Sequence, residues 1–174
     1  MTYTVTGGLS GSLNGVSFTN AAVTLRTSSD TVNILLRDYG SIKVWYNPGV
    51  TTIDIDGFQT ATFNGVHSFG VTAQDGWYPG AGIASIADLT TMDSILGVKQ
   101  TADPHYKLTT AATFTDTPWV VAGTYSTTLG NLITTGYSGN ATFTTAAAAI
   151  PEPSALALLV LGTIGLATRR RRTA

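Results

Sequence analysis

The chain of 174 residues contains no cysteine and only two histidines. Without cysteine it can form no disulfides and has no thiolate chemistry. His67 and His105 stand apart, and no HExxH sequence is present, so neither belongs to a pair at metal-ligand spacing. There is also no G-x-S-x-G serine motif, and Gly80-Ala81-Gly82 lacks the third glycine of a dinucleotide fingerprint. The sequence therefore predicts neither enzyme activity nor a cofactor.

Charged residues are also scarce, at 11% of the chain, and they are unevenly distributed. The body, defined as residues 1–149, has five basic residues against nine aspartates, a net charge of −4, whereas four arginines stand close to the C-terminus. The near-neutral total of −1 thus combines two unlike segments. A mildly acidic, lysine-poor body argues against nucleic-acid binding, which requires clusters of phosphate-neutralising side chains.

The C-terminal segment, residues 150–174, contains an apolar run without a polar face, which argues against a buried core helix. As a helix the run is about 20 Å long, short of the roughly 30 Å hydrocarbon core, and arginine side chains can extend it by reaching the interface. We predict a C-terminal transmembrane helix that contains Ala155, Leu156, Leu158, Leu159, Val160, Leu161, Ile164 and Leu166. A cytoplasmic anchor follows it and consists of Arg169, Arg170, Arg171 and Arg172, which places the body on the far side of the membrane.

Pro151, Glu152 and Pro153 come just before this run. Because proline lacks an N–H and restricts its predecessor, the segment around Glu152 is expected to be extended and accessible. A proline-bracketed acid, an apolar run and a terminal arginine cluster, in this order, resemble the PEP-CTERM sorting signal of exported bacterial proteins. The resemblance implies that an exosortase, a membrane-embedded cysteine transpeptidase-like enzyme, recognises Pro151, Glu152 and Pro153. It concerns handling and destination, not the activity of the body.

The resemblance also implies a route. The precursor would be anchored in the inner membrane with its body exported, and would then reach the cell envelope, the cell surface or the extracellular space. Family members usually carry an N-terminal signal peptide as well, yet residues 1–11 have neither a basic region nor an apolar region. We therefore expect that the reading frame extends upstream of Met1 or that the signal has been removed.

The body is rich in threonine and shows short alternating apolar runs separated by turn residues. This pattern predicts an all-β domain over residues 1–145, a β-sandwich (Ig-like or jelly-roll-like) of short antiparallel strands. Residues 146–149 form a spacer before the sorting signal. Asn14-Gly15 predicts a hairpin between residues 11–13 and 16–18, and Asn64-Gly65 predicts a second hairpin between residues 60–63 and 68–73.

Three further segments carry specific predictions. Residues 32–37 alternate and are expected to form a central strand with Val32, Ile34 and Leu36 inward. Asn47-Pro48-Gly49 is expected to turn the chain between two strands, 41–46 and 51–56. Residues 88–96 show apolar side chains at helical spacing and are expected to form a helix.

Asp54 and Asp56 lie two residues apart on a predicted strand, so both project from one face, about 7 Å apart. Such a pair can seat a calcium ion or supply the two carboxylates of glycoside hydrolysis. No downstream acid follows at EF-hand spacing, and aspartate is common on a solvated face next to a turn. We therefore favour a solvated outer face for Asp54 and Asp56. They remain a weak candidate for a metal site.

Trp45, Trp77 and Trp119 each lie beside a proline-containing turn. Exposed aromatic rings at such positions can stack on sugar rings, whereas buried ones would close the ends of the core. We favour the core interpretation. The sequence thus predicts an exported structural or adhesive protein of the envelope or extracellular matrix, with exosortase, the membrane and extracellular polysaccharide as partners. The alternatives are a carbohydrate-binding module that uses the three tryptophans and, less favoured, a hydrolase that uses the two aspartates.

Overall fold

The computed structural model describes residues 1–38, 40, 42–74, 80–85, 94–99, 107–120 and 122–147; at 42, 72–74, 80–85, 94, 99 and 119 it describes the backbone only. A 3₁₀ turn spans Thr31–Asn33. The strands are β1 (Thr2–Leu13), β2 (Val16–Ser28), β3 (Leu35–Asp38), β4 (Ile42–Ile55), β5 (Ala61–Thr62), β6 (His67–Gln74), β7 (Gly80–Ser85), β8 (Ser94–Lys99), β9 (Ala112–Asp116), β10 (Pro118–Trp119), β11 (Gly123–Thr127) and β12 (Gly130–Ala146).

These strands form one antiparallel sheet in the order β10-β8-β7-β6-β4-β2-β1-β12-β11, while β3 and β5 also pair with β4 and β9 pairs with β12. The all-β prediction is confirmed, whereas the finer assignment to an Ig-like or jelly-roll-like sandwich stays a prediction. No helix within the described ranges has the length and apolarity needed to cross a membrane. The predicted transmembrane helix lies outside those ranges.

Strands β1 and β2, of 12 and 13 residues, form a hairpin, and its turn lies at Asn14-Gly15 as predicted. Asn14 and Gly15 both have positive φ, 50° and 80°, as a two-residue hairpin turn requires. The pairing shifts register beside Gly11, on both sides of β1. A Cβ atom on Gly11 would overlap the backbone carbonyl oxygen of Ile133, so only glycine allows β12 to approach this closely.

Strand β4 passes from one part of the sheet to the other. Residues 42–49 pair with β6, and residues 50–55 pair with β2. The predicted turn at Asn47-Pro48-Gly49 is therefore wrong, because the chain continues as one strand through these residues. Glycine is needed at position 49 for another reason than a turn: a Cβ atom there would overlap the Ser28 carbonyl oxygen.

The predicted strand at residues 32–37 is also wrong in its extent and position. The Asp30 side chain accepts a hydrogen bond from the Val32 backbone N–H at 3.1 Å and caps a 3₁₀ turn instead. Val32 is 82% exposed and Leu36 is 51% exposed, so neither points inward, whereas Ile34 is partly buried and packs against the core. The strand that does form, β3, pairs with β4 and, within the described residues, with no other strand, so it is not central.

Two further expectations fail, one of a hairpin and one of a helix. The segments on either side of Asn64-Gly65 do not pair with each other: β5 pairs with β4, and β6 pairs with β4 and β7. Residues 94–96, expected at the end of a helix, belong to β8. Residues 88–93 of that expected helix lie outside the described residues. Short apolar runs fit a strand as well as a helix, so periodicity alone could not separate the two.

A stack of four aromatic rings occupies the core. Tyr3 stacks on Phe69 with ring centroids 5.0 Å apart, Phe69 on Phe143 at 4.7 Å, and Phe143 on Phe114 at 5.5 Å. The rings come from β1, β6, β12 and β9, so the two parts of the sheet that meet at β4 face each other across one core. Their interplanar angles of 7°, 11° and 12° and these distances match favourable stacked pairs.

Candidate functional site

Only part of the predicted site residues falls within the described ranges. Pro151, Glu152, Pro153, the apolar run and the four terminal arginines lie outside them, as does Trp77. The backbone of Trp119 belongs to β10, but its side chain is not described. The structure therefore bears on Trp45, Asp54 and Asp56.

Trp45 lies in β4, in register with Leu36 of β3 and Val71 of β6. Its side chain is partly buried and packs against the core. The Lys107 ammonium lies 5.7 Å from the Trp45 ring centroid, within the range of a cation–π contact. This position favours a role in closing the core, and a sugar ring that stacked on Trp45 would compete with Lys107.

Asp54 is engaged by two neighbours. Its carboxylate accepts hydrogen bonds from the Thr60 hydroxyl and from the Arg26 guanidinium, which also forms an ion pair with it. The Thr60 hydrogen bond first, and then Arg26, hold the pKa of Asp54 below its usual range. A general acid for glycoside hydrolysis needs a raised pKa, so the shift runs in the wrong direction for that role.

Asp56 lies just beyond the end of β4 and is exposed, and its backbone N–H donates to the Ala22 carbonyl at 2.9 Å. No group of three histidine, aspartate or glutamate side chains able to hold a metal ion occurs in the part of the chain that the structure describes. A calcium ion between Asp54 and Asp56 would also have to displace Arg26. The geometry therefore favours a solvated polar edge over a metal or catalytic pair.

A surface that the sequence analysis missed lies on the outer face of β1 and its neighbours. Here each core residue alternates with an outward threonine, as in Thr2-Tyr3-Thr4 and Thr142-Phe143-Thr144. The pairing register aligns these side chains across strands. One row contains Thr62, Thr52, Arg26, Thr4, Thr144 and Thr113, and the next contains Asp54, Thr24, Thr6, Thr142 and Thr115. We call these two rows the threonine face.

The threonine face is regular and carries no excess charge. Neighbours in a row are about 4.8 Å apart and neighbours along a strand about 7 Å apart. The Thr115 and Thr142 hydroxyls lie 2.9 Å apart and share a hydrogen bond. Arg26 and Asp54, the two charged members, neutralise each other in an ion pair. Such a face offers hydroxyl and methyl groups to a neutral, polyhydroxylated partner and no cluster of charge to an ionic one.

One pattern in the sequence indicates this surface: Thr-x-Thr recurs at residues 2–6, 113–115 and 142–144. What it lacked was the register, which depends on pairing between residues as far apart as Thr4 and Thr144.

The comparison with known families identifies the tail. A model of the PEP-CTERM protein-sorting motif matches residues 149–172. No curated protein and no solved structure matches the chain. The chain thus carries a PEP-CTERM sorting motif, and the resemblance noted for Pro151-Glu152-Pro153, the apolar run and the arginine cluster is confirmed. The match begins at residue 149, where the body ends, and so does not concern the role of the body.

Replacement of Asp54 by asparagine tests the electrostatic description. We expect Asp54→Asn to lower the free energy of unfolding at pH 7 by less than about 1 kcal/mol, because both partners of the ion pair are more than one-third exposed. Since the folded-state pKa is lowered, this contribution is present above the unfolded-state pKa of about 3.9 and is lost as the pH falls through the folded-state value. Urea denaturation across this pH range measures the difference.

The control is Asp56→Asn, which removes the same charge beside the end of β4 without breaking the Arg26 ion pair. The description would be contradicted if the difference in the free energy of unfolding between wild type and Asp54→Asn stayed constant down to the lowest pH at which both are folded.

Proposed function

We propose that this chain is an exported protein of the cell envelope or extracellular matrix with a structural or adhesive role. The observation that carries the proposal is the sorting motif at residues 149–172, which supports exosortase-dependent sorting to the cell envelope or the outside of the cell. In this proposal Pro151, Glu152 and Pro153 are the recognition motif. The apolar residues from Ala155 to Leu166 hold the precursor in the membrane, and Arg169 to Arg172 remain on the cytoplasmic side.

The body is then the part that is delivered. We assign it as a β-sandwich, Ig-like or jelly-roll-like, and this assignment is supported by β4, which pairs in both parts of the sheet, and by the aromatic stack between those parts. We further propose that the body is not an enzyme. For the pair of Asp54 and Asp56, this proposal is supported by the ion pair between Asp54 and Arg26 and by the lowered pKa of Asp54.

The threonine face supports the adhesive part of the proposal. A hydroxyl of this face that binds water can exchange it for a hydroxyl of an extracellular polysaccharide, and a net gain of about 0.5 to 1.5 kcal/mol per hydrogen bond adds up over several threonines. A flexible glycan can also follow the twist that a sheet of this width accumulates, which a rigid crystalline surface cannot do. The face therefore suits many weak contacts with a neutral polymer.

A carbohydrate-binding module that stacks sugars on Trp45, Trp77 or Trp119 is the alternative function. It would depend on aromatic rings and not on hydroxyl groups. Of these three residues Trp45 alone has a described side chain, and its contact with Lys107 favours the threonine face over stacking.

Replacement of Pro151, Glu152 and Pro153 by alanine tests the sorting step. We expect the variant to accumulate as unprocessed, membrane-bound precursor, because the processing enzyme loses its recognition motif. Immunoblots of membrane and extracellular fractions from the producing cells measure the precursor fraction. Ser154→Ala, directly beside the motif, is the matched control and should mature like wild type. Normal maturation of the triple variant would refute exosortase-dependent sorting.

Replacement of Thr4, Thr52 and Thr144 by valine tests the adhesive surface. Valine keeps the shape and the strand preference of threonine but removes its hydroxyl, so three lost hydrogen bonds should weaken retention on an insoluble neutral polysaccharide about tenfold or more. Co-sedimentation with the polysaccharide measures the retained fraction. The control replaces Thr19, Thr109 and Thr117, exposed threonines outside the two rows, by valine. Equal retention of the two triple variants would contradict a role for the threonine face, and a loss confined to Trp45→Ala would favour the alternative.

A further inference from the structure

The strand pairing of the body extends to the last residue of β12. Ala146 is in register with Thr2 of β1. Next to it, the Thr145 hydroxyl accepts a hydrogen bond from the Ala112 backbone N–H at 2.8 Å and donates to the Thr110 carbonyl at 2.9 Å. The sheet therefore continues to Ala146, the first residue of the predicted spacer, just before the sorting motif.

The short spacer limits how far a processing enzyme can stay from the body. Glu152 is five residue steps beyond Ala147, with four residues between them, and a fully extended chain over five steps spans at most about 18 Å. A folded domain of even 100 residues has a radius of gyration of about 13 Å, and hence a width well above 18 Å. An enzyme that engages Glu152 must therefore bring its surface against the end of the body.

That end of the body has a groove and two exposed valines beside it. The groove has a volume of about 710 Å³ and is lined by Thr2, Ser28, Ser29, Asp30, Thr31 and Ala147, among others. Val32 follows directly in the 3₁₀ turn and is 82% exposed, and Val50 is in register with Ser28 and is 67% exposed. We call the groove together with Val32 and Val50 the tail pole.

The composition of the tail pole suits a protein surface better than a lipid surface. Residues that settle at a membrane interface are lysine, arginine, tryptophan and tyrosine, and none of these occurs among the residues that the structure places in the tail pole. One oxygen of the Asp30 carboxylate accepts a hydrogen bond from the Val32 backbone N–H. What the tail pole offers is a groove lined mainly by serine and threonine, next to two exposed apolar side chains, so that it can supply both polar and apolar contacts to a transient protein interface.

We propose that the tail pole is a docking surface for the enzyme that processes the sorting motif, and this inference rests on the proposed function. Contact with the tail pole holds the enzyme next to the motif and raises its effective concentration there. The body thereby contributes to its own processing, in addition to the residues that the motif itself supplies.

The test compares the two valines of the tail pole with a valine at the far end of β2. Val32→Glu and Val50→Glu, separately and combined, place charge on the tail pole. Val16→Glu is the control, because Val16 is 59% exposed and begins β2 at the end opposite Ser28, about 40 Å away. We expect the combined tail-pole variant to slow conversion of the full-length precursor about fivefold or more in a pulse-chase measurement, and Val16→Glu to convert like wild type. Limited proteolysis of each full-length variant checks that folding is unchanged.

A second arm inserts a flexible glycine-serine segment after Ala147. The enzyme can then reach the motif without touching the body, so the combined variant and its unsubstituted parent should convert at equal rates. If the tail-pole variants convert at the wild-type rate while the alanine replacement of the motif blocks conversion, the docking surface is refuted and the sorting proposal stands. If the motif replacement itself converts normally, the sorting proposal fails and the docking surface fails with it.

Discussion

The buried amide of Asn47 is the interaction on which the arrangement of the sheet depends. Its side chain is completely buried at the point where β4 leaves β6 and joins β2. The Nδ2 atom donates to the Tyr3 hydroxyl at 2.8 Å and to the Asp30 carbonyl at 3.1 Å, and the Oδ1 atom accepts from the Ser29 hydroxyl at 2.7 Å. A buried amide without these partners would be costly, so the two parts of the sheet must meet in a way that provides them.

Tyr3 connects this polar group to the core and to the outer surface. Burial raises the pKa of its hydroxyl, against the opposing effect of the hydrogen bond from Asn47, and the hydroxyl donates to the Leu108 carbonyl at 3.1 Å. Its ring begins the stack that continues through Phe69 and Phe143. Because side chains alternate along β1, the strand that buries Tyr3 also presents Thr2 and Thr4 to solvent. One strand therefore links the junction of the sheet, the aromatic core and the threonine face.

Features that depend on neighbouring residues were predictable from the sequence. Asn14-Gly15 predicted its hairpin because two residues that tolerate positive φ are sufficient for the turn. The tail could be recognised because its proline-bracketed acid, apolar run and arginines are contiguous. Asn47-Pro48-Gly49 has the composition of a turn, and only contacts with Ser29 and Tyr3 explain why it lies inside a strand. The threonine face escaped prediction for the same reason, since its rows exist only through the pairing register of distant strands.

The measurement that tests this account most directly is the free energy of unfolding of Asn47→Ala, obtained by urea denaturation. The substitution removes three hydrogen bonds of a completely buried amide and takes from the buried Tyr3 hydroxyl the donor from which it accepts, so the account predicts a loss of about 2 to 4 kcal/mol. The control is Asn131→Ala, at an exposed position of β12, which should change the free energy of unfolding by less than about 0.5 kcal/mol. Equal, small losses for the two variants would contradict the claim that the Asn47 amide determines how the two parts of the sheet meet.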